Sequence, residues 1–425
     1  MENRFVQLGE REGWSGPKPF GLSAVDRRQH LYAIGKSGSG KTTLLKNLIV
    51  QDIQAGAGVG VIDPHGDLAT ELLDCIPSRR LRDVIFFNPS DSEYPIGLNL
   101  LQGNEEHRHL IVSGIVAAMK SVWSEFWGPR LEYILHATVS ALIECENVSL
   151  LGIQRMFTDA VFRAWVMRQV KDPAVRSFWI SEFEGYDKRF LNEALAPIQN
   201  KVGRLFMSPH LRNILGQVKR KIDARFMMDK RRIFIADLSK GKLGADKSNL
   251  IGALLVTQFQ LAAMSRADVP EASRQDFYLY VDEFQNFATD SFAEILSEAR
   301  KYRLCLTLSH QYMEQVKPEI RSAVLGNVGS LVTFRVGHHD AEILEREFGN
   351  TYALSQFTGL DNYEVIAKLL VNGKHEEPFL GRTVPPTYVL HGRSETIVKE
   401  SRERYGAPRK RVEEGIRRWL EKSNH

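Results

Sequence analysis

Residues 35–42 have the types and spacing needed to bind the phosphates of a nucleotide. They read Gly-Lys-Ser-Gly-Ser-Gly-Lys-Thr and match the complete pattern G-x-x-x-x-G-K-[ST]. An apolar run, residues 30–34, precedes them and a helical pattern, residues 43–55, follows, which is the placement that directs backbone N–H groups at phosphates. Lys41 would contact the β- and γ-phosphates, and Thr42 would ligate Mg²⁺. The predicted nucleotide-binding residues are Gly35, Lys36, Ser37, Gly38, Ser39, Gly40, Lys41, Thr42 and Thr43.

A second segment has the carboxylates that hydrolysis requires. Asp282 and Glu283 follow five apolar residues, 277–281, which predict a buried strand. Asp282 could hold Mg²⁺ through its water shell, and Glu283 could orient and deprotonate an attacking water. Adjacent carboxylates at a strand end also occur as caps, but their position in a chain with a P-loop favours catalysis. A carboxylate base indicates hydrolysis rather than transfer to a small acceptor.

Two further polar residues fit a hydrolytic site. Gln311 follows the predicted strand 304–309, where its amide could contact both the γ-phosphate and the water; an ordinary loop glutamine is the alternative. Arg300 lies near the end of the predicted helix 291–302 and could reach the nucleotide of a neighbouring subunit. We favour Arg300 over Arg303 for this role. The alternative is that these arginines are the basic end of a helix that complements its dipole.

Weaker signals surround these motifs. Asp63 and His65 follow a second predicted strand, expected beside the P-loop strand, where Asp63 could support the Mg²⁺ shell or position Lys41. His65 is equally compatible with an ordinary loop histidine. The predicted loop 240–247 combines flexible glycines with lysines, which suits contact with a nucleic-acid backbone, although a solvated basic loop is an equal alternative. The candidate DNA contacts are Lys240, Lys242 and Lys247.

The elements that position these residues alternate between short apolar runs and longer helical patterns. Continuous hydrophobicity indicates strands covered on both faces, so a mostly parallel sheet with helices on each side is expected. The fold class is therefore α/β, with a P-loop ATPase core. The predicted strands are residues 30–34, 59–63, 84–87, 232–238, 277–281, 304–309 and 331–336.

Residues 104–216 contain no convincing strand, and apolar residues recur there three or four apart, which predicts an inserted all-helical domain. We expect four segments: residues 1–104 and 222–392 form the two parts of the ATPase core, 105–221 form the all-α insertion, and 393–425 form a basic helical tail. The tail could contact phosphate, although a solvated helix is favoured.

Composition limits the class of protein. The 425 residues have 43% hydrophobic and 25% charged residues, which are ordinary globular values. The net charge of +4 neither demands nor forbids a polyanionic partner. Three widely spaced cysteines argue against a disulfide framework or a zinc site. The first residues lack the features of a signal peptide, and the two most apolar stretches fall short of a membrane span. We therefore expect a cytoplasmic protein without an integral membrane segment.

The motifs in combination resemble the FtsK/HerA superfamily of hexameric DNA-translocating ATPases, and most closely the conjugative coupling proteins of the TraD/TraG/TrwB type. The segments that carry the resemblance are residues 35–42, 63–67, 95–100, 238–241, 281–284 and 309–311. The resemblance covers about residues 30–389, including the position of the helical insertion, and it implies a RecA-like P-loop ATPase core. It implies that Lys41 and Thr42 are the Walker A pair, Asp282 and Glu283 the Walker B pair, Gln311 the sensor and Arg300 the trans-acting arginine.

The resemblance also implies partners and a function. The expected function is a Mg²⁺-ATP-dependent, ring-forming DNA translocase, with DNA as substrate, a homo-hexameric assembly, and a secretion channel, relaxase or nuclease as a compatible partner. Coupling proteins of this type usually begin with transmembrane helices, and the residues before His30 leave no room for them. Any location at the inner membrane would therefore be peripheral and depend on a partner. The alternative function is a nucleotide-gated switch or assembly ATPase that acts on a protein complex without moving DNA.

Overall fold

The computed structural model describes residues 5–102, 105–124, 127–290, 292–386 and 388–421. They form two compact units. The first consists of Met1–Phe86, Ala224–Asp237 and Ala262–Val398, and the second of Phe87–Asp223, Leu238–Leu261 and Lys399–His425. The strands are β1 (Phe5–Arg11), β2 (Lys18–Ser23), β3 (Leu31–Ile34), β4 (Gly58–Asp63), β5 (Val84–Phe87), β6 (Ile233–Asp237), β7 (Phe277–Val281), β8 (Leu304–His310), β9 (Ser330–Thr333), β10 (Glu364–Lys368), β11 (Leu370–Val371), β12 (Lys374–His375) and β13 (Phe379–Thr383).

One large sheet contains eleven of these strands, in the order β2-β1-β13-β10-β9-β3-β8-β7-β4-β6-β5. Strands β9, β3, β8, β7, β4 and β6 pair in parallel. Their residues are almost all buried, because helices cover both faces of a parallel sheet. This confirms the predicted α/β class, and each of the seven predicted strands is present with boundaries shifted by at most a few residues.

The other flank of the sheet is antiparallel, and the sequence did not reveal it. Strands β2, β1, β13 and β10 form antiparallel pairs in that spatial order. Strand β10 also pairs antiparallel with β9, which joins this flank to the parallel strands. Strand β2 contains Pro19 and Gly21, two residue types that are depleted in strands, and β1 contains Gly9. Gly9 and Gly21 have a packing reason, since a β-carbon on either would lie within 2.3 Å of a neighbouring backbone oxygen. Short mixed segments of this kind carry no clear periodic signal.

The helices follow the strands of the core and fill the second unit. They are α1 (Lys41–Gln54), α2 (Asp67–Leu73), α3 (Arg108–Val122), α4 (Pro129–Ile143), α5 (Gly152–Thr158), α6 (Ala160–Gln169), α7 (Pro173–Ser177), α8 (Lys188–Met207), α9 (Pro209–Leu215), α10 (Ala224–Asp229), α11 (Lys240–Leu243), α12 (Ala245–Met264), α13 (Phe292–Glu298), α14 (Pro318–Asn327), α15 (His338–Glu347), α16 (Leu354–Gly359), α17 (Ser394–Tyr405) and α18 (Arg409–Glu421).

The second unit is mainly helical. Helices α3 and α8 both pack against α4. A π-helical segment, Phe178–Phe183, places Trp179 in the core. Asn99 is buried and donates from Nδ2 to the carbonyls of Val148 (2.9 Å) and Val218 (2.6 Å), which joins the two ends of the helical region. The end of the tail belongs to this unit: α18 packs against α9.

Two expectations from the sequence were wrong. Residues 240–247 are not a loop, because Lys240 and Lys242 lie in α11 and Lys247 lies in the first turn of α12. Buried Leu243 and the bond from Ser248 Oγ to the Leu238 carbonyl (2.6 Å) hold this turn in helical form. Strand β4 is not beside β3, since β8 and β7 lie between them.

Helix α12 also bears on the prediction about membranes. With the residues after it, Ala245–Asp268, it is long and apolar enough to cross a membrane by length and composition. However, 72% of its most apolar window is buried inside the protein, as is typical of a core helix. It is the one candidate span among the described residues.

A buried ion pair joins the helix after the P-loop to the strand that carries the carboxylates. Arg27 donates to both carboxylate oxygens of Asp52 in α1, at 2.8 and 2.9 Å, and to the hydroxyl of Tyr280 in β7 at 2.8 Å. The Arg27 guanidinium also lies 3.8 Å from the ring centroid of Tyr278. Burial alone would lower the pKa of Arg27, but Asp52 and Tyr280 raise it well above its ordinary value. The pair is therefore charged and fully satisfied.

Removing one member of this pair leaves an uncompensated buried charge. We expect Asp52→Ala to lower the free energy of unfolding by about 3–5 kcal/mol, because Arg27 would lose its counter-ion in a dry environment. Glu71→Ala is the matched control, since Glu71 is 60% exposed and its pairing with Lys46 is worth about 1 kcal/mol or less. Urea titration followed by circular dichroism measures both. Equal losses in the two variants would contradict the assigned role of the buried pair.

Candidate functional site

The parallel strand order brings four predicted segments to one edge of the sheet. Strands β3, β8, β7 and β4 are consecutive neighbours and parallel, so their carboxyl ends lie together. The residues that follow them are Gly35, Gln311, Asp282 and Pro64, and Asp63 ends β4 itself. The P-loop and the carboxylates are therefore separated by one strand, β8, and Gln311 lies on that strand's loop.

The P-loop has the backbone geometry of a phosphate cradle. Gly38 and Gly40 have φ values of 75° and 119°, which side-chain-bearing residues rarely adopt. Ser39 Oγ donates to the Lys36 carbonyl at 2.7 Å and braces the turn. Helix α1 begins at Lys41, and no side chain in the described part of the chain caps it. The N–H groups of its first turn therefore remain available to an anion, and the helix dipole favours negative charge there.

Lys41 is buried under this loop. It is 6% exposed and donates from Nζ to the carbonyls of Gly35 and Lys36. Burial lowers its pKa, while the nearby carboxylates of Glu283 and Asp282 act in the opposite direction. Phosphate oxygens are charged acceptors and form stronger hydrogen bonds than these neutral carbonyls, so Lys41 is positioned to exchange its partners for a nucleotide.

Asp282 lies in a dry and negatively charged environment. It is 5% exposed, and burial, together with the charges of Asp63 and Glu283, raises its pKa to about 6. The charges of Asp282 and Glu283 act on Lys41, and Asp63 adds a third carboxylate near Asp282. This cluster has an excess of negative charge that a divalent cation would neutralise. Thr42, in the first turn of α1, has an exposed side chain. The hard oxygen donors of Thr42 and Asp282 fit Mg²⁺ bound together with nucleotide phosphates.

Glu283 is held by two amides. Gln311 donates from Nε2 to Glu283 Oε1 at 2.8 Å, and Gln285 donates from Nε2 to Oε2 at 2.6 Å. The backbone of Glu283 has φ 47°, a left-handed conformation that turns the chain sharply after β7 and that is rare for a residue of this type. Sequence reasoning found Gln311 but missed Gln285. Its position two residues after Glu283, in a left-handed turn, was not visible in the pattern of residues.

His310 lies between the P-loop and the carboxylates but carries no charge. It is buried, and its Nδ1 is 2.9 Å from the hydroxyl of Tyr32. Burial and the nearby Lys41 lower its pKa to about 3. A neutral imidazole at this position adds no positive charge against the phosphate-binding lysine.

Asp63 and His65 have separate roles. Asp63 is fully buried and accepts hydrogen bonds from the backbone N–H groups of His65 (2.8 Å) and Ala69 (2.9 Å), so it fixes the loop that leads into α2. It lies near Asp282 rather than beside the P-loop strand. The side chain of His65 is exposed.

The two candidate arginines are distinguished by their surroundings. Arg303 is 12% exposed and pairs with Asp276 at 3.6 Å, so it is part of the core's own charge network. Arg300 is exposed and lies near His30, at the amino end of β3. It is therefore at the edge of the sheet opposite to Lys41 and cannot reach the P-loop of its own chain.

The candidate DNA contacts follow strand β6 in the chain. Lys240, Lys242 and Lys247 belong to the second unit, on the two successive helices α11 and α12. The exposed turn around Gly244, with φ 86°, separates these helices. The three lysines thus lie within about two helical turns of one another along the chain.

A comparison with protein families identifies the chain. The model described as the central domain of the helicase HerA matches residues 19–258, more than half of the sequence. The chain belongs to the HerA central-domain family. No curated protein sequence matches this HerA-family chain significantly.

Solved structures share the fold of this HerA-family protein. The bacterial plasmid coupling protein TrwB, in complex with the non-hydrolysable ATP analogue ADPNP, is 14% identical, with 93% of this chain and 97% of that chain covered and a TM-score of 0.62. TrwB with ADP and Mg²⁺ is 13% identical, covers 93% and 98%, and has a TM-score of 0.59. VirB4 of Thermoanaerobacter pseudethanolicus is 13% identical, covers 91% and 98%, and has a TM-score of 0.58. The protein therefore has the TrwB-like, RecA-type P-loop ATPase fold.

The raised pKa of Asp282 should make the free energy of unfolding depend on pH. Its folded-state pKa of about 6 exceeds its ordinary value of 3.8, so the folded state binds the proton more tightly and ionisation destabilises it. The cost is complete above about pH 6 and disappears as pH falls towards 4. We expect Asp282→Asn to stabilise the nucleotide-free protein by about 1–3 kcal/mol at pH 8.

Urea titrations of the Asp282→Asn variant and the unchanged protein at pH 8 and pH 4.5 measure this difference. The gain should shrink to about a third at pH 4.5, because the carboxyl of the unchanged protein is then protonated. A gain of the same size at both pH values would contradict the assignment, since it would arise from packing rather than from charge.

Proposed function

We propose that this HerA-family protein is a Mg²⁺-dependent ATPase that assembles into a ring and moves DNA. The observation that carries the hydrolytic part is the approach of Lys41, Asp282 and Glu283 to one sheet edge, with Gln311 bonded to Glu283. The complexes of TrwB with ADPNP and with ADP and Mg²⁺ support ATP and Mg²⁺ as ligands. The P-loop and its helix would bind the phosphates, and Thr42 and Asp282 would hold Mg²⁺.

Lys41, the first turn of α1 and Glu283 would have different roles in hydrolysis. Lys41 and the N–H groups of the first turn of α1 bind and orient the β- and γ-phosphates. Bound Mg²⁺ would neutralise part of the negative charge of the phosphates. Glu283 accepts the proton of the attacking water, and its burial keeps bulk water from competing for that role.

The two amides bonded to Glu283 would make hydrolysis depend on the presence of a γ-phosphate. In this structure both carboxylate oxygens accept hydrogen bonds, from Gln311 and Gln285. A γ-phosphate near Lys41 offers the Gln311 amide a charged acceptor in place of Glu283 Oε1. Transfer of that hydrogen bond would free one oxygen of Glu283 for the water, while Gln285 would keep the carboxylate oriented. Gln311 would thereby act as the sensor of the γ-phosphate.

Ring formation is supported by the position of Arg300. An exposed arginine on the sheet edge opposite to the P-loop suits a head-to-tail assembly, in which one subunit's Arg300 faces the next subunit's nucleotide. A homo-hexamer is the assembly we propose. The guanidinium would neutralise charge that develops on the phosphates in the transition state.

DNA as the substrate is supported by the match to the HerA helicase central domain and by the likeness to a plasmid coupling protein. We propose that Lys240, Lys242 and Lys247 contact the DNA backbone, as a grouped set of positive charges on consecutive helices suits phosphate rather than base recognition. A secretion channel, a relaxase or a nuclease would be a compatible partner, and location at the inner membrane would then depend on that partner.

Steady-state ATP hydrolysis tests the motor. We expect turnover that requires Mg²⁺, rises with single- or double-stranded DNA, and loses the DNA stimulation steeply as salt increases. Lys41→Ala should abolish nucleotide binding and turnover. Glu283→Gln should lower kcat by about 10²- to 10⁴-fold with nucleotide binding retained, because it removes the base but not the phosphate contacts.

Lys374→Ala, in the exposed hairpin of β11 and β12, is the matched control for loss of a lysine and should leave turnover unchanged. Hydrolysis that is insensitive to both DNA forms across the salt series would overturn the translocase and favour a nucleotide-gated switch acting on a protein complex. Undiminished hydrolysis in Glu283→Gln would remove Glu283 as the base.

The role of Arg300 can be tested by mixing variants. Arg300→Ala should lose turnover and keep nucleotide binding. In rings mixed equally with Glu283→Gln subunits, about one quarter of the interfaces would combine an intact Glu283 with an intact neighbouring arginine, so about a quarter of the activity should return.

Arg303→Ala serves as the control, because it removes an arginine that is paired within its own chain. It should lower stability, and its residual turnover should not respond to mixing. Failure of Arg300→Ala to recover in rings shown by native mass spectrometry to be mixed would exclude a trans-acting arginine at this position.

A further inference from the structure

Tyr363 lies against the P-loop in a backbone conformation that few residues of its type adopt. It precedes β10 in the turn after α16, has a φ of 70°, and is 45% exposed. A bulky residue in the left-handed region is strained, and such strain persists where the surroundings hold the residue in place. Nothing in the sequence analysis singled out this residue.

Hydrogen bonds fix Tyr363 to the loop. Its N–H donates to the Ser39 carbonyl at 2.9 Å, and its own carbonyl accepts the Thr383 N–H at 2.9 Å. A β-carbon on Gly40 would lie only 2.8 Å from Tyr363 Cδ1, so the ring rests directly on the α-carbon of this glycine. The absence of a side chain at position 40 therefore makes room for the tyrosine ring next to the phosphate-binding residues.

A second segment is tied to the same loop. The Lys36 N–H donates to the Arg335 carbonyl at 2.8 Å, and Arg335 Nη2 donates to Asn362 Oδ1 at 3.3 Å. The turn that carries Tyr363 is thus linked to the P-loop at two points, Ser39 and, through Arg335, Lys36. Any change in the position of the loop would be shared with the ring.

Packing alone does not explain the ring. Nearly half of Tyr363 is exposed, whereas the ring of Phe334, which also lies close to Gly40, is fully buried. Within the described ranges, the Tyr363 side chain has no hydrogen-bond, ion-pair or ring partner. A rigid, open aromatic face beside a phosphate cradle matches the flat face of the nucleoside that the phosphates carry.

We propose that Tyr363 is the platform on which the base of the bound nucleotide stacks. This inference rests on the nucleotide site proposed above and adds the residue that recognises the nucleoside. Stacking contacts the face of the base and not its hydrogen-bonding edge, so it favours large purine rings over pyrimidines without distinguishing adenine from guanine.

Two probes separate this role from a structural one: a non-hydrolysable ATP analogue and inorganic tripolyphosphate, both with Mg²⁺, measured by calorimetry. Tyr363→Asn removes the ring and keeps a residue that tolerates a positive φ. We expect it to weaken the ATP analogue about tenfold and to leave tripolyphosphate within about twofold. Tyr363→Phe should bind both probes like the unchanged protein. Leu380→Ala, on β13 and 49% exposed, is the control and should change neither.

Equal weakening of both probes in Tyr363→Asn would overturn the proposal, since the residue would then act only by holding the P-loop. An unchanged protein that binds the ATP analogue no better than tripolyphosphate would overturn it as well. Binding of the analogue that depends on Tyr363, in a protein that does not hydrolyse ATP, would support the platform and refute the proposed ATPase. Failure of the unchanged protein to bind either probe would refute both.

Discussion

Strand β8 lies between β3 and β7, and it sets the spacing between the P-loop and the carboxylates. Parallel pairing on both sides aligns Ala33 with Ser309 and Val281 with Leu308, so the loops after all three strands start at the same level. The P-loop and the carboxylates then face each other across the width of one strand. That spacing leaves room for phosphates and a metal ion, and it places the Gln311 amide between them.

This cluster of buried carboxylates lowers the stability of the folded protein. Asp63, Asp282 and Glu283 are all nearly fully buried, and burial together with the charges of the other two carboxylates raises the pKa of Asp282 to about 6. The stability needed to hold such a site comes from elsewhere in the same strands and helices. Arg27, Asp52 and Tyr280 form a satisfied charge network between α1 and β7, at a distance from the chemistry. The apolar parallel strands supply the rest. Binding of cationic and phosphate groups would restore part of the lost stability, so ligand binding and stability are coupled.

The sequence predicted the parts of this protein whose signals are local. Continuous apolar runs identified the parallel strands, and the complete P-loop motif with the Asp282-Glu283 pair identified the site. The antiparallel flank was missed because strands such as β2 contain Pro19 and Gly21, whose use there depends on a partner strand. Strand order is likewise not local, so β4 was expected beside β3. Gln285 and Tyr363 escaped notice for a third reason: both depend on left-handed backbone turns, at Glu283 and at Tyr363 itself, which non-glycine residues rarely reveal in a sequence.

The two edges of the sheet have opposite charge requirements, and this asymmetry bears on assembly. The carboxyl edge carries an excess of buried carboxylates that a nucleotide-bound metal would neutralise, whereas the amino edge presents the exposed Arg300. A four-residue strand such as β3 separates these edges by about 13 Å, so one chain cannot bring them together. Head-to-tail contact between two copies can do so, and repetition of the same contact closes a ring. Arg303, by contrast, is committed to Asp276 within the chain, although it lies only three residues from Arg300. In the proposed ring, Arg303 would stabilise its own chain and Arg300 would face the neighbouring subunit.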